Sequence, residues 1–125
     1  MWLLTPIGFF SVVCKPADAG TGMLTVRSRN QADLENLREH WLPELGEIQT
    51  SSRNDYRYRA RAPREAVARA MSRAIEALDY DNFKNQVWRT QGSERAHVYG
   101  EVWEVLHGLQ GRPEHEQTVP VAQQG

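Results

Sequence analysis

Twice in this 125-residue chain the hydrophobic period switches from two to between three and four, and that double switch narrows the accessible folds more than any other feature. The first pass runs through FFSVVCK, the loop PADAGTG and MLTVRSR. Both flanking segments alternate and are rich in β-branched and aromatic residues, which predicts a hairpin with a long turn. Asn30 then stands where a helix N-cap belongs. In NQADLENLREHWL the residues Leu34, Leu37, Trp41 and Leu42 share one helical face, and Pro43 stops the helix. In the second pass GEIQTSS and DYRYRARA flank the turn-prone SRND, and Pro63 suits a first helical position. The stripe Val67, Met71, Ala74, Ile75 and Leu78 of REAVARAMSRAIEAL is expected to face inward. This ββα-ββα order predicts an α+β fold of the ferredoxin-like kind, with a four-stranded, mainly antiparallel sheet and two helices on one face.

A further helical pair follows. In DYDNFKNQVWRTQG, Asp81 is placed to cap a short helix anchored by Phe83, Val87 and Trp88. Ser93 is placed to cap the last helix, ERAHVYGEVWEVLHGLQ, in which Tyr99, Val102, Trp103, Leu106 and Leu109 fall on one face. Gly100 inside that helix costs roughly 1 kcal/mol relative to Ala. With Ala96 it forms a small-residue patch beside Trp103, so Ala96, Gly100 and Trp103 form a candidate homodimer interface. Residues 1–110 read as a single domain. Residues 111–125, polar and interrupted by prolines, read as a disordered tail.

The lone Cys14 cannot form an internal disulfide and is expected in the core, which suits a reducing compartment. MWLLTPIGFFSVV has no leading Lys or Arg, is broken by Pro6 and Gly8, and is too short to span a bilayer. A soluble, cytoplasmic protein without a membrane partner is expected.

A net charge of −1 argues against a protein built to coat nucleic acid, but the charge is unevenly spread. Residues 51–73 carry seven arginines against Asp55 and Glu65. If Leu24 and Val26 face the helices with Phe10, Val12, Cys14 and Ile48, strand alternation sends Arg27 and Arg29 to the opposite face. Arg57, Arg59 and Arg61 follow them, while Tyr56 and Tyr58 turn toward the helices. Lys15 and Phe9 complete this candidate anion-binding surface.

Like charges on neighbouring strands need a counter-charge. Internal carboxylates such as Glu47, Glu94, Glu101 and Glu104 are one source. The others are an acidic protein surface, including a second copy of the chain, and phosphate, which arginine's planar fork grips well. Nucleic acid fits less well, because Phe9 is a single stacking platform where such sheets present several.

No phosphate loop, nucleophile elbow or paired-histidine helix is present, so no catalytic residue, metal or cofactor is assigned, although an enzyme assembled from distant residues leaves no local mark. The pairs His97–Glu101 and His40–Glu44 read as helix neighbours in solvent. Asp79 and Asp81 lack a third ligand at calcium-loop spacing.

The segments MWLLTPIGFFSVVCKP, DYRYRA, IEALDYDNFK and ERAHVYGEVWEVL together resemble a group of small bacterial proteins of unassigned function. The likeness covers about residues 1 to 110. It implies a bacterial, cytoplasmic protein and supplies no activity, cofactor or catalytic residue.

Overall fold

In a computed structural model, which describes residues 1–111, the alternating segments form an antiparallel sheet of five strands. These are β1 (Trp2–Thr5), β2 (Gly8–Val13), β3 (Met23–Ser28), β4 (Gln49–Thr50) and β5 (Tyr58–Pro63), in the order β1-β2-β3-β5-β4. Four helices complete an α+β fold: α1 (Gln31–His40), α2 (Arg64–Glu76), α3 (Phe83–Gln91) and α4 (Ser93–His107). Apart from Gly111, the expected disordered tail lies outside the described residues.

The sheet has one strand more than the four expected. Pro6 and Gly8 do not break the apolar opening segment; they help turn it back on itself. Thr5 Oγ1 accepts hydrogen bonds from the Ile7 and Gly8 amides at 3.2 and 3.1 Å and donates to the Gly8 carbonyl at 2.7 Å, closing the β1–β2 hairpin. GEIQTSS, in contrast, keeps only two residues in ladder pairing, at the sheet edge.

One face of the sheet packs against α1 and α2. Phe10, Val12, Leu24, Val26, Ala60 and Ala62 meet Leu34, Leu37, Ala66, Val67 and Ala70 in the main core. Each large apolar side chain sealed there contributes about 1.5–3 kcal/mol. Asn30 caps α1 as its sequence position suggests, accepting from the Ala32 amide at 3.0 Å. The inward stripe of α2 holds only through its first turns. Val67 is buried and Met71 packs on the core, but Ile75 and Leu78 lie exposed beyond it.

The α3–α4 hairpin covers part of the opposite face. Val87, Ala96 and Tyr99 form a second cluster with Leu4, Phe9 and Phe83. The Tyr99 hydroxyl donates to the Thr5 carbonyl at 3.2 Å, tying α4 to the β1–β2 hairpin. Burial pushes the Tyr99 phenol up from its ordinary pKa. Two caps differ from expectation. Asn82, not Asp81, accepts the Asn85 amide at the start of α3, and Gly92 precedes α4, with Ser93 as its first residue. Cys14 is exposed because β2 ends at Val13, one residue before its alternation would turn it inward.

Gly8 is required by its surroundings. A Cβ added there would lie 2.8 Å from both Cβ and Cγ of Asp33. Gly8→Ala should therefore destabilise the fold by about 1–3 kcal/mol, the usual range for overpacking. Urea denaturation of the two proteins measures the difference.

Candidate anion-binding site

Strand register puts the arginines where alternation sends them. On β3 and β5, Thr25 lies opposite Arg61, Arg27 opposite Arg59, and Val26 opposite Ala60. The alanine and valine face the core, so Arg27 and Arg59 stand directly across from each other on the other face. Ser11 of β2 flanks Arg27, and Gln49 of β4 flanks Arg59.

Tyr56 is the centre that sequence reading misplaces. It is buried with its ring on the arginine side, and the guanidinium carbons of Arg27 and Arg29 lie 4.5 and 4.3 Å from the ring centroid. Each such contact is worth about 0.5–2 kcal/mol. Ladder pairing of β5 begins only at Tyr58, so strict alternation does not reach back two residues. Tyr58 itself packs against the main core as expected.

The hydrogen bonds around Tyr56 are few. Arg27 Nη2 donates to Ser11 Oγ at 2.8 Å, Arg29 Nη1 to the Asp55 carbonyl at 2.7 Å, and Arg59 Nη2 makes a long contact of 3.5 Å with the Tyr56 carbonyl. Among the described residues, the Nε atoms of Arg27 and Arg59 are sealed and have no hydrogen-bond partner. A buried donor left so costs about 1–3 kcal/mol. Among the described residues the ion pairs are Arg61–Asp18, Arg69–Glu44, Arg95–Asp33 and His97–Glu101. None of them involves Arg27, Arg29, Arg57 or Arg59, and Glu47, Glu94 and Glu104 do not supply the missing charge. Arg57 is exposed in the irregular segment before β5.

Arg61 and Lys15 belong to a different arrangement. Asp18, nearly sealed from solvent, accepts from Arg61 Nε at 2.8 Å, Thr25 Oγ1 at 2.7 Å and the Lys15 amide at 2.9 Å. The Thr25 hydroxyl, with the Lys15 amide and Arg61, holds the Asp18 carboxyl below its ordinary pKa despite the opposing effect of burial. The positive row is thus divided. Its Arg61 end is neutralised within the chain, and its Tyr56 end is not.

A folded-state pKa lowered from 3.8 means that Asp18 contributes its full stabilisation above that pH and loses it as pH falls through the lower folded value. Asp18→Asn should cost about 1–3 kcal/mol at pH 7, from the poorer acceptor facing Thr25 and Arg61. The deficit should shrink only in that acid window. Guanidinium denaturation at pH 7 and pH 3 compares the two.

Phe9 is half-buried and bridges the cluster to β1, with its ring 5.6 Å from Trp2, edge to face, and 6.5 Å from Tyr56. The proposed interface residues separate. Ala96 is already packed within the chain, whereas Trp103 is 61% exposed and Gly100 has open space around its α-carbon. The α4 face extends past its cover, so Leu106 is exposed as well.

Sequence reading passed over Trp2, Asp18, Asp33 and Arg95. Asp18 meets Arg61 across 43 residues and Asp33 meets Arg95 across 62, distances at which no local spacing gives a signal. Among the described residues no helix is long and apolar enough to cross a membrane, and no three His, Cys, Asp or Glu side chains converge. No protein family, curated protein or solved structure matches the chain, so the functional reading rests on this geometry.

Proposed function

We propose that the chain acts by binding, with Arg27, Arg29, Arg57 and Arg59 receiving an acidic or phosphorylated partner on the sheet face around Tyr56. One observation carries this reading. Arg27 and Arg59 are half-buried and directly opposed, yet no carboxylate among the described residues pairs with either. An anion from outside supplies the charge that the fold withholds, and stacking on Tyr56 holds two guanidinium groups ready for it. Arg61 and Lys15 support the edge of this surface through Asp18.

Calorimetric titration with an acidic or phosphorylated peptide tests the reading. Arg57→Glu/Arg59→Glu should weaken capture by about 30-fold or more, which corresponds to roughly 2 kcal/mol for losing a charge partner. Stability should stay close to wild type. Unfolding of the variant would show instead that these arginines serve the fold, and unchanged capture would remove them from the site.

Self-association is a second reading, favoured by a groove of about 910 Å³ between α3 and α4. Trp88 and Trp103 stand exposed along it, with Lys84 on α3 and Glu101 and Glu104 on α4. A two-fold pairing would bring Lys84 of each copy to the acidic side of the other. Trp103→Glu should then turn a concentration-dependent dimer into a monomer by sedimentation velocity. A wild-type protein that stays monomeric at high concentration rules the dimer out.

RNA or DNA fits less well, since Tyr56 lies buried beneath guanidinium groups and is not presented to a base. The enzyme alternative has no specific observation in its favour among the described residues; His97, for example, pairs with Glu101 at 3.2 Å in solvent.

A further inference from the structure

The arginine cluster opens at one end onto a second feature. A groove of about 360 Å³ runs between α4 and the sheet, lined by Trp2, Leu4, Phe9, Val98 and Val102, with Arg29 at its margin. That volume lies at the small end of the range for ligand sites. Trp2 is 65% and Val98 49% exposed, so apolar walls stand open on both sides. Two more charged residues line the groove, Asp33 and Arg95, but they neutralise each other through paired contacts of 2.8 and 3.0 Å. Arg29 is therefore the one uncompensated charge among the lining residues. Of its five N–H donors one is engaged among the described residues, by the Asp55 carbonyl, and its guanidinium shares the Tyr56 ring with that of Arg27.

An apolar trough with one guanidinium group that lacks a carboxylate partner, that of Arg29, is complementary to a ligand with the same polarity. We infer that the groove takes a single-chain amphipathic anion, its carboxylate or phosphate head on Arg29 and its hydrocarbon chain between Trp2, Phe9, Val98 and Val102. This rests on the anion-binding reading above and adds the chemical class of what carries the anion. The head gains charge-assisted hydrogen bonds, and the chain removes exposed apolar surface from water. Neither part of the groove accounts for the other's ligand.

The test is calorimetry on the full chain with hexanoate, octanoate, decanoate, decyl phosphate and decanol, each below its aggregation concentration. Inorganic phosphate and a polyglutamate peptide run alongside. Affinity should rise about four-fold for each methylene from hexanoate to decanoate, the increment for burying one such group. Decanoate or decyl phosphate should bind at least about ten-fold tighter than decanol, as a charged hydrogen bond to arginine requires. Arg29→Gln should remove that preference. Val98→Asn, a neutral change at an exposed position, should weaken the chain-bearing ligands and leave phosphate unaffected. Equal affinity for decanoate and decanol, or no gain with chain length, overturns the inference. Polyglutamate binding with silent decanoate overturns it while leaving the anion-binding reading in place, and silence from every anion defeats both.

Discussion

Asp33→Ala should destabilise the protein by about 3–5 kcal/mol, the penalty for removing one member of a buried ion pair. Asp33 sits in the first turn of α1 with its side chain 4% exposed. It accepts the Phe9 amide at 3.0 Å and both terminal nitrogens of Arg95. Without it the Arg95 guanidinium, 20% exposed, keeps its charge and has no partner of opposite sign. Arginine's ordinary basicity already excludes neutralisation, so once Asp33 is gone shedding the proton offers no escape. The Phe9 amide also loses its acceptor. Because this pair links α1, β2 and α4, amide hydrogen exchange should show α4 opening first. Asp33→Leu/Arg95→Met, which removes both charges, should recover most of the loss in urea unfolding. A double variant as unstable as Asp33→Ala would mean that the contact matters through shape and not through charge.

Arg59→Gln should have an opposite effect on stability and a larger one on binding. The substitution removes the repulsion between directly opposed arginines, which is worth about 0.2–1 kcal/mol, and forfeits only the long 3.5 Å contact to the Tyr56 carbonyl. The unliganded variant should therefore melt at the same temperature as wild type or higher. An anion held at 100 times its Kd should stabilise wild type by about 2.7 kcal/mol and the variant by far less. A site that weakens the empty protein and strengthens the occupied one is the ordinary trade between function and stability. A variant less stable than wild type without ligand, or equally stabilised by it, contradicts this account.

How much of this was legible in the sequence depends on the range of each interaction. Alternation in MLTVRSR and YRARA is enough to send Leu24, Val26, Ala60 and Ala62 to the core and Arg27, Arg59 and Arg61 away from it. The side chain of Asn30 and the apolar face of α1 are equally local. Tyr56 escapes because alternation holds only while ladder hydrogen bonds continue, and they start at Tyr58. Ile75, Leu78, Trp103 and Leu106 illustrate another limit. A helical stripe shows which face is apolar, but the length of the surface beneath decides how much of it is covered. The counter-ion of Arg61 was foreseeable as a type of group but not as Asp18, since the two meet only after the strands have paired.

The most direct measurement of the central claim follows the Nε–Hε signals of the arginines by NMR while inorganic phosphate is added. Arg27, Arg29 and Arg59 should shift together along one saturation curve. Arg61 and Arg95, held by Asp18 and Asp33, should stay in place. Signals that never move, or that drift alike for every arginine, would contradict a specific anion site on this face.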